Sequence, residues 1–460
     1  MTDTRKEKDF LGEREIPGDA YWGIQTLRAV ENFPISGLRP HPEFIRSMAL
    51  IKKAAAQENA ASGRLGPKTA EAIVRAAEEV IAGKLADQFV VDVFQAGAGT
   101  SFHMNMNEVL ANRAAEILGG SRGDHSLVHP NDHVNMSQST NDVFPTAMRL
   151  AALALLRRLF PALEELAAAL EIKAKEFGGV VKSGRTHLQD ATPLTLGAEF
   201  GAYAATVRRC LRHLRGSADH LCELGIGGTA VGSGALAHPG YREAVVKRLS
   251  EFVNINLSPS EDTYEAMQSC APFAMVSGGL RTLALELIRI ANDLRLLSSG
   301  PRTGLAEIKL PAVQPGSSIM PGKVNPVMAE ALDMVCFQVI GNDQAVALAV
   351  QAGQLELNVM MPVINFNLLF SLEILRNGVR VFTERAVRGI RADPESCRRY
   401  ALASAGLATL LRPILGYDRA AELANEAERT GVSVAELAVA RGLVSREQID
   451  ELIDTNRRKS

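Results

Sequence analysis

The stretch that decides the fold class is Leu280-Arg-Thr-Leu-Ala-Leu-Glu-Leu-Ile-Arg-Ile-Ala-Asn-Asp-Leu-Arg-Leu-Leu297. Nearly every helical turn of this stretch carries apolar side chains on more than one face. A helix of that kind must be covered on several sides, so we predict that it lies inside a bundle of long helices. The excess of apolar surface also predicts that the bundle packs against other subunits.

Two other stretches extend the helical pattern. From Phe200, apolar residues recur along one face as far as Leu214, which predicts a second long helix. From Leu355 to about Ile390 the pattern is again helical, and we expect Pro362 to kink that helix. Aromatic residues make up only 5% of the chain, whereas Ala and Leu are abundant, which favours helices over sheets. The predicted fold class is therefore mainly α.

Differences in helical pattern and loop composition along the sequence predict three domains. They are an N-terminal domain of short helices and polar loops (1–141), a central helical bundle (142–396) and a small C-terminal helical domain (397–460). In the C-terminal domain, Ser433 with Glu436 and Ser445 with Gln448 have the spacing of capping boxes. In a capping box each of the two residues hydrogen-bonds to the other's backbone, so these pairs predict two helix starts.

Composition and motifs exclude several classes of protein. The formal net charge of -2 argues against a protein that binds nucleic acid. The charged start of the chain is unlike a signal peptide, and no apolar run is expected to span a membrane. The cysteines lack metal-ligand spacing, and the sequence holds no P-loop, dinucleotide fingerprint or HExxH motif. We therefore predict a cytoplasmic protein with no metal site and no cofactor.

Four polar, Gly-rich segments interrupt the helical pattern with the hydroxyl, amide and cationic donors that carboxylate recognition requires. The first is Gln95-Ala-Gly-Ala-Gly-Thr-Ser101. Its glycines let the backbone approach a ligand closely, and Thr100 offers a hydroxyl. A loop followed by a helix N-cap explains the same residues equally well.

The second polar segment runs from His129 to Asp142. Ser139, Thr140 and Asn141 stand immediately before a long helical pattern, so a helix N-terminus is expected there. Such a terminus favours an anion because its backbone N–H groups are unpaired. A simple N-cap by Ser139 or Asn141 is the plainer alternative.

The third segment is Gly184-Arg-Thr-His-Leu-Gln-Asp190, in which Thr186 and His187 are candidate site residues. The imidazole of His187 has the chemistry of an acid, a base or a donor to a carboxylate. A lone histidine is more often structural than catalytic, so this segment alone does not decide between the two.

The fourth segment, Gly316-Ser-Ser-Ile-Met-Pro-Gly-Lys-Val-Asn-Pro326, is the most specific. Two glycines give it hinges and three prolines restrict where it bends. Its candidate substrate contacts are Ser317, Ser318, Lys323 and Asn325. A Gly-hinged loop that carries a hydroxyl and a cation suits a lid that closes over an anionic substrate.

This fourth segment resembles the signature loop of the fumarase/aspartase superfamily, and the other three resemble that family's remaining substrate-binding regions in the same order. The resemblance extends from Lys8 to about Leu452. It implies three mostly helical domains with a central bundle of long helices. It also implies a homotetramer in which each active site collects loops from three subunits, and a small dicarboxylate as substrate.

The resemblance further implies roles for the candidate residues. Ser317 would be the general base, assisted by Lys323 as a nearby positive charge. The carboxylate next to the leaving group would be held by Lys323, Asn325 and Thr186, and the other carboxylate by Thr100, Ser139 and Thr140. Asn141 and His187 would contact the amino or hydroxyl group that leaves, with Glu330 paired to His187. Ser318 would be a further substrate contact.

Within the superfamily two reactions stay open. The run ending Gly-Ala-Gly-Thr-Ser101 and the Ser139-Thr-Asn141 triplet resemble enzymes that remove ammonia from L-aspartate to give fumarate. Met361 and the run Gly232-Ser-Gly-Ala-Leu236 depart from that pattern, so hydration of fumarate to L-malate is the alternative. A structural protein that has lost activity is a third hypothesis, which the presence of Ser317 and the other candidate residues disfavours.

Overall fold

The computed structural model describes residues 4–459, with side chains through residue 453, and is mainly α, with 62% helix. The predicted fold class is therefore confirmed. The α-helices are α1 Ile24–Asn32, α2 Pro42–Ala61, α3 Pro67–Ile81, α4 Thr100–Ile117, α5 Thr140–Glu176, α6 Leu196–Asp219, α7 Tyr241–Val253, α8 Thr263–Gln268, α9 Ala271–Leu297, α10 Val327–Gln351, α11 Met361–Arg385, α12 Pro394–Ala403, α13 Leu407–Leu415, α14 Tyr417–Thr430, α15 Val434–Ala440 and α16 Arg446–Lys459.

The strands are short and pair two by two. They are β1 Thr4–Asp9, β2 Gly12–Pro17, β3 Val181–Thr186, β4 Gln189–Thr195, β5 Glu223–Leu224, β6 Ser258–Pro259, β7 Ile308–Lys309 and β8 Arg391–Ala392. The pairs β1–β2, β3–β4 and β7–β8 are antiparallel, and β5–β6 is parallel. The β3–β4 hairpin carries the third polar segment.

The long helices agree with the sequence patterns, with one correction. Helix α5 begins at Thr140, α6 contains the predicted face from Phe200, and α9 contains the stretch 280–297. The expected kink at Pro362 is wrong, since α11 begins at Met361 and Pro362 lies in its first turn. Proline is tolerated there because the first N–H groups of a helix have no partner within the helix.

By its internal contacts the chain forms two compact units. One comprises residues up to Leu159 together with His213–Thr282 and Gln338–Ile374. The other comprises Phe160–Arg212, Leu283–Phe337 and the residues from Leu375 onward. We call them unit 1 and unit 2 and describe each by itself. The division into domains 1–141, 142–396 and 397–460 stays a prediction.

In unit 1 an aromatic cluster fastens the helices to one another. The ring centroid of Phe44 on α2 lies 5.0 Å from that of Phe102 on α4 and 4.8 Å from that of Phe144 on α5. Helix α1 lacks a side-chain cap of its own, and the buried carboxylate of Glu108 replaces it. Glu108 accepts hydrogen bonds from the N–H groups of Gly23, Gln25 and Thr26 at 2.9–3.0 Å. Helix α4 is therefore fixed against the start of α1.

In unit 2 the C-terminal helices pack on the β3–β4 hairpin. Their core includes Leu407, Leu411 and Ile449 together with Val181 of β3. Both predicted capping boxes are confirmed. The Oγ atoms of Ser433 and Ser445 accept from the backbone N–H groups of Glu436 and Gln448. In return, the backbone N–H groups of the two serines donate to the side chains of Glu436 and Gln448. The C-terminal region thus supports the hairpin of the third polar segment.

Helix α9 is the one described helix that is long and apolar enough to cross a membrane by length and composition, and 39% of that apolar window is buried. The core helix of a soluble protein passes the same test. Leu283 and Leu287 are fully buried, whereas Leu285 is 53% exposed within one chain. The predicted covering of this surface by other subunits stays a prediction.

Candidate active site

The first polar segment folds as a tight turn that leads directly into α4. Gly99 has φ +87°, and a Cβ on it would lie 2.1 Å from the Phe144 ring, so only glycine fits at this position. The Ala98 N–H donates to the carbonyl of Val359 (2.8 Å), which fixes the turn. Thr100 is the first residue of α4 and its side chain is exposed. The turn therefore presents the Thr100 hydroxyl beside the unpaired N–H groups of a helix N-terminus.

The second polar segment ends at the N-terminus of α5, as predicted. Ser139 Oγ accepts from the Asn141 N–H (3.3 Å). The Asn141 side-chain amide donates to the carbonyl of Ala230 (2.8 Å), which leaves its Oδ1 as an acceptor. Ser139, Thr140 and Asn141 are each partly exposed, so hydroxyl and amide groups reach the surface at this helix start.

Asp142 holds this helix start against the 227–229 turn. Its carboxylate is fully buried and accepts from the N–H groups of Ser139 (2.9 Å), Gly227 (2.9 Å) and Thr229 (3.0 Å). Burial raises the pKa of Asp142 to about 6, although the backbone donors work in the opposite direction. The side chain is therefore an anion at neutral pH, held in place by three backbone donors.

Two residues that the sequence analysis missed stand behind Thr140. His103 Nδ1 lies 2.7 Å from Thr140 Oγ1, and His103 Nε2 lies 2.6 Å from Lys52 Nζ. Lys52 is completely buried and His103 is 1% exposed. His103 stands one turn after Thr100 on α4, and Thr140 is the first residue of α5. The contact between His103 and Thr140 therefore links the N-terminal turns of the two helices. The available signal was the position of Lys52, which shares one face of α2 with the buried Met48 and Asn59.

In unit 2 the third polar segment is the tip of the β3–β4 hairpin. Thr186 pairs with Gln189, so His187 and Leu188 form a two-residue turn. Both have positive φ, 56° and 58°, as a type I′ turn requires. Asn-Gly is the usual pair in such a turn, and residues with a Cβ are strained there. His187 and Thr186 are both exposed, so the strained turn displays the imidazole at the end of a rigid hairpin.

Replacing Leu188 by glycine should stabilise the protein. Leu188 is 71% exposed and gives up little packing, while relief of its φ of 58° is expected to raise the free energy of unfolding by about 1 kcal/mol. The measurement is urea unfolding of Leu188→Gly. Leu11, in the β1–β2 turn, is 62% exposed without a positive φ, so Leu11→Gly should instead lower stability. Equal changes in both variants would contradict the strain at residue 188.

Buried charges anchor the same hairpin. Lys182 Nζ lies 3.0 Å from Glu199 Oε2 and 3.1 Å from Glu307 Oε2, and Arg185 Nη1 lies 2.9 Å from Glu307 Oε1. Glu307 is completely buried. Burial raises the pKa of Glu199, against the lowering effect of Lys182. Two cations from β3 thus meet two carboxylates from outside the hairpin, which fixes the direction in which His187 projects.

The fourth polar segment is a loop closed at its neck. The Gly316 N–H donates to the Lys323 carbonyl (2.8 Å), and the Asn325 side-chain amide donates to the Gly316 carbonyl (2.6 Å). A Cβ on Gly316 would lie 2.5 Å from that Lys323 oxygen, so the neck requires glycine. The loop tip is open to solvent, with Ile319 83% exposed. Asn325 therefore uses one of its two amide hydrogens to hold the loop closed.

Within this loop Ser317 is the residue with a distinctive environment. Its Oγ accepts hydrogen bonds from the backbone N–H groups of Ile319 (3.2 Å) and Met320 (3.1 Å). Two amide dipoles therefore point at one hydroxyl oxygen, an arrangement that stabilises negative charge on it. Ser318, its neighbour, is only partly exposed, and Lys323 is exposed.

The candidate residues thus fall into two groups. Unit 1 contains Thr100, Ser139, Thr140 and Asn141, and unit 2 contains Thr186, His187, Ser317, Ser318, Lys323, Asn325 and Glu330. Glu330 lies in the first turn of α10. Within residues 4–459 of one chain, no hydrogen bond or ion pair joins Glu330 to His187. That pairing, like the other assigned roles, stays a prediction.

Potential metal ligands are dispersed. Among the residues that the structure describes, no group of three or more His, Cys, Asp or Glu side chains has the arrangement to hold a metal ion. The cysteines that it describes are free thiols, and burial raises the pKa of Cys270, Cys336 and Cys397 to about 12. Thiols of that kind are protonated at neutral pH and are poor nucleophiles and poor metal ligands.

Comparison with known proteins gives matches over almost the whole chain. A family model described as "Lyase" matches residues 12–341, and one described as "Fumarase C C-terminus" matches residues 407–457. Aspartate ammonia-lyase of Bacillus subtilis is 50% identical over 450 residues, covering 98% of this chain and 95% of that protein. Fumarate hydratase class II of Ralstonia nicotianae is 48% identical over 448 residues, covering 97% of both.

A solved structure also superposes closely. The crystal structure of a "fumarate lyase:delta crystallin" from Brucella melitensis, bound to cobalt, matches with a TM-score of 0.96 and 51% identity, covering 99% of each chain. The fold that the sequence resemblance implied therefore matches a solved structure over 99% of the chain. The two sequence relatives carry names of two different reactions at nearly equal identity, so identity alone does not choose between them.

Proposed function

Since the chain belongs to the fumarase/aspartase family of lyases, we propose that it catalyses the reversible deamination of L-aspartate to fumarate and ammonia. The observation that carries the elimination step is the environment of Ser317, whose Oγ accepts from two backbone N–H groups. The choice of L-aspartate over L-malate is supported by the aspartase-like runs of the sequence and by Asn141. An unassisted serine is a poor base. These donors, with the positive charge of Lys323 in the same loop, favour the alkoxide that proton abstraction requires.

The reaction then proceeds by elimination. The Ser317 alkoxide takes a proton from the β-carbon of aspartate, and the electron pair of that C–H bond moves onto the adjacent carboxylate. Thr100, Ser139 and Thr140 hold this carboxylate and stabilise its extra charge. Lys323, Asn325 and Thr186 hold the other carboxylate, with Ser318 as a further contact. That electron pair then returns to form the C=C bond of fumarate as the C–N bond breaks, and the C–N electrons leave with nitrogen as ammonia. The abstracted proton stays on Ser317 Oγ.

The orientation of Asn141 favours an amine as the leaving group. One of its two amide hydrogens is donated to the Ala230 carbonyl, and Oδ1 remains able to accept a hydrogen bond from a substrate. An acceptor at that point suits a substrate ammonium, which has three hydrogens to donate. In this proposal His187 contacts the same amino group, and Glu330 of another subunit fixes its orientation.

Hydration of fumarate to L-malate is the second candidate. It is favoured by the fumarate hydratase relative at 48% identity and by the match to the fumarase C C-terminal model. Of the two departures from the aspartase pattern, Met361 is 1% exposed at the start of α11, whereas Leu236 in the 232–236 run is 88% exposed. A buried residue acts on substrate choice only through its neighbours.

The family resemblance supports a proposal for the assembly. We propose a cytoplasmic homotetramer in which each active site takes one group of residues from one subunit and the others from two further subunits. Sedimentation of the purified protein tests the tetramer. A second test mixes an inactive Thr100 variant with an inactive Ser317 variant, since exchange of subunits would restore some activity only if sites are shared.

The test of the reaction is the ultraviolet absorbance of fumarate, with purified protein and either L-aspartate or L-malate. We expect fumarate from L-aspartate and none from L-malate. Fumarate from L-malate alone would overturn the proposal in favour of the hydratase. Fumarate from neither substrate, at a protein concentration at which succinate binds, would contradict both.

A further inference from the structure

We propose that Lys52 and His103 are positioning residues that make the Thr140 hydroxyl a hydrogen-bond donor toward the substrate carboxylate. The three side chains form one chain, Lys52 Nζ to His103 Nε2 (2.6 Å) and His103 Nδ1 to Thr140 Oγ1 (2.7 Å). The inference rests on the proposed function only in that Thr140 contacts the carboxylate that gains charge. Its other steps depend on the geometry of unit 1.

The first step concerns the environment of Lys52. Its Nζ donates to Gln138 Oε1 (2.9 Å) and to Asn135 Oδ1 (3.1 Å). The orientation of both amides is fixed, because the Gln138 NH₂ donates to the carbonyls of Val134 and Met136 and the Asn135 NH₂ to the carbonyl of Gln138. Both amides must therefore present oxygen to Nζ, which uses two of its hydrogens.

The second step concerns His103. Burial, together with the charge of Lys52, lowers the pKa of His103 well below its ordinary value, so the ring is neutral and carries a single N–H. When Lys52 is an ammonium, its third hydrogen is donated to Nε2, and the ring hydrogen must be on Nδ1. His103 then donates to Thr140 Oγ1, and the Thr140 hydroxyl hydrogen points away from the ring.

If Lys52 is neutral, the donors and acceptors along the three side chains are reversed. A neutral Lys52 would accept from Nε2–H, the Nδ1 lone pair would accept from Thr140, and Thr140 would face a carboxylate with lone pairs only. An anion at Thr140 therefore favours the charged state of Lys52. Asp142 favours it too, since its buried carboxylate raises the pKa of Lys52 against the dominant lowering by burial. A bound carboxylate and the Lys52 charge thus stabilise each other through His103.

The consequence lies mainly in the transition state. The negative charge on this carboxylate grows as the proton leaves the β-carbon, and a donor already oriented toward it contributes more as the charge grows. The hydrogen bonds from Lys52 through His103 to Thr140 should therefore raise kcat more than they lower KM. A merely structural role would change stability and would not divide the effect in this way.

His103 itself offers a matched pair of variants. In His103→Gln the longer amide reaches the position of Nε2 and keeps a partner for Lys52, but it loses the bond to Thr140. In His103→Asn the shorter amide reaches the position of Nδ1 and still donates to Thr140. We expect His103→Gln to lower kcat by roughly tenfold to a hundredfold, less than loss of a complete oxyanion donor, and to change KM less than threefold. His103→Asn should retain most of the activity.

A third variant distinguishes the effect of His103 on the Thr140 hydroxyl from its effect on packing. Thr140→Val removes the hydroxyl, so adding His103→Gln to it should cost almost nothing further in kcat. Equal kcat for His103→Gln and His103→Asn, or a full effect of His103→Gln on top of Thr140→Val, would overturn the proposal. Thermal unfolding of each variant identifies a loss of activity that comes from a loss of fold.

Succinate binding makes the outcome independent of the reaction. Succinate has both carboxylates and no leaving group, so calorimetry measures its affinity even for a protein that converts neither L-aspartate nor L-malate. In that event the proposed function fails, and the positioning role is judged by affinity alone. It stands if His103→Gln binds succinate measurably more weakly than His103→Asn, by up to about threefold, and it fails if the two bind equally.

Discussion

Replacing Ser317 by alanine is expected to lower kcat for deamination of L-aspartate by about a thousandfold, within the range that general bases contribute. The physical reason is that no other group within this loop combines a transferable proton site with two backbone N–H groups at 3.2 and 3.1 Å. Alanine removes the oxygen and nothing else. The affinity for succinate should therefore stay within about twofold, since the neighbouring donors are unchanged.

The decisive measurement for Ser317 is proton abstraction itself. In deuterated water the wild-type protein should exchange hydrogen at the β-carbon of aspartate during turnover, and Ser317→Ala should not. Ser318→Ala is the matched control, because it removes the same atoms one residue away. We expect it to retain β-carbon exchange and to affect mainly KM. If Ser317→Ala exchanges at the wild-type rate, the base is another residue.

The helices and the loops of the site were readable from the sequence because each follows a local rule. Apolar spacing predicted α9, and a run of short polar residues predicted where α5 begins. At the first polar segment a helix N-cap was one of two alternatives, and α4 begins there. The capping boxes at Ser433 and Ser445 were readable for the same reason. Pro362 was misinterpreted, since a proline in the first turn of a helix and a proline within it give the same pattern until the helix start is known.

Two features of the site depend on distant parts of the chain and left only weak local signals. Lys52 stands 51 positions before His103, and their contact exists only because α2 packs beside α4. The strain at His187 depends on the pairing register of β3 with β4, which periodicity does not specify. A lysine inside an apolar helical face and a two-residue turn without glycine were the available clues.

The turn at His187 and the buried side chains of Lys52 and His103 have one property in common, a local cost in free energy. At His187 the backbone adopts a conformation that costs free energy, and at Lys52 the burial of an ionisable amine costs free energy. Both costs are borne by well-packed surroundings, the C-terminal helices in unit 2 and the amides of Asn135 and Gln138 in unit 1. Local features that oppose stability are therefore concentrated where the candidate site residues are.

Replacing Glu307 by glutamine is expected to lower the free energy of unfolding by about 3–5 kcal/mol, the usual cost of removing one partner from a buried ion pair. Glu307 is completely buried and pairs with both Lys182 (3.1 Å) and Arg185 (2.9 Å). The variant therefore leaves Lys182 with Glu199 and removes the carboxylate that pairs with Arg185. Urea unfolding followed by circular dichroism measures the change.

Glu165 provides the control for this prediction. It pairs with Arg388 at 3.7 Å, and both side chains are 57% exposed, so Glu165→Gln should change stability by less than about 0.5 kcal/mol. Because Lys182 and Arg185 belong to the strand that ends at Thr186, Glu307→Gln should also lower kcat under conditions in which it is fully folded. A variant as stable as Glu165→Gln would mean that water reaches Lys182 and Arg185, and the hairpin would then owe its position to the C-terminal helices alone.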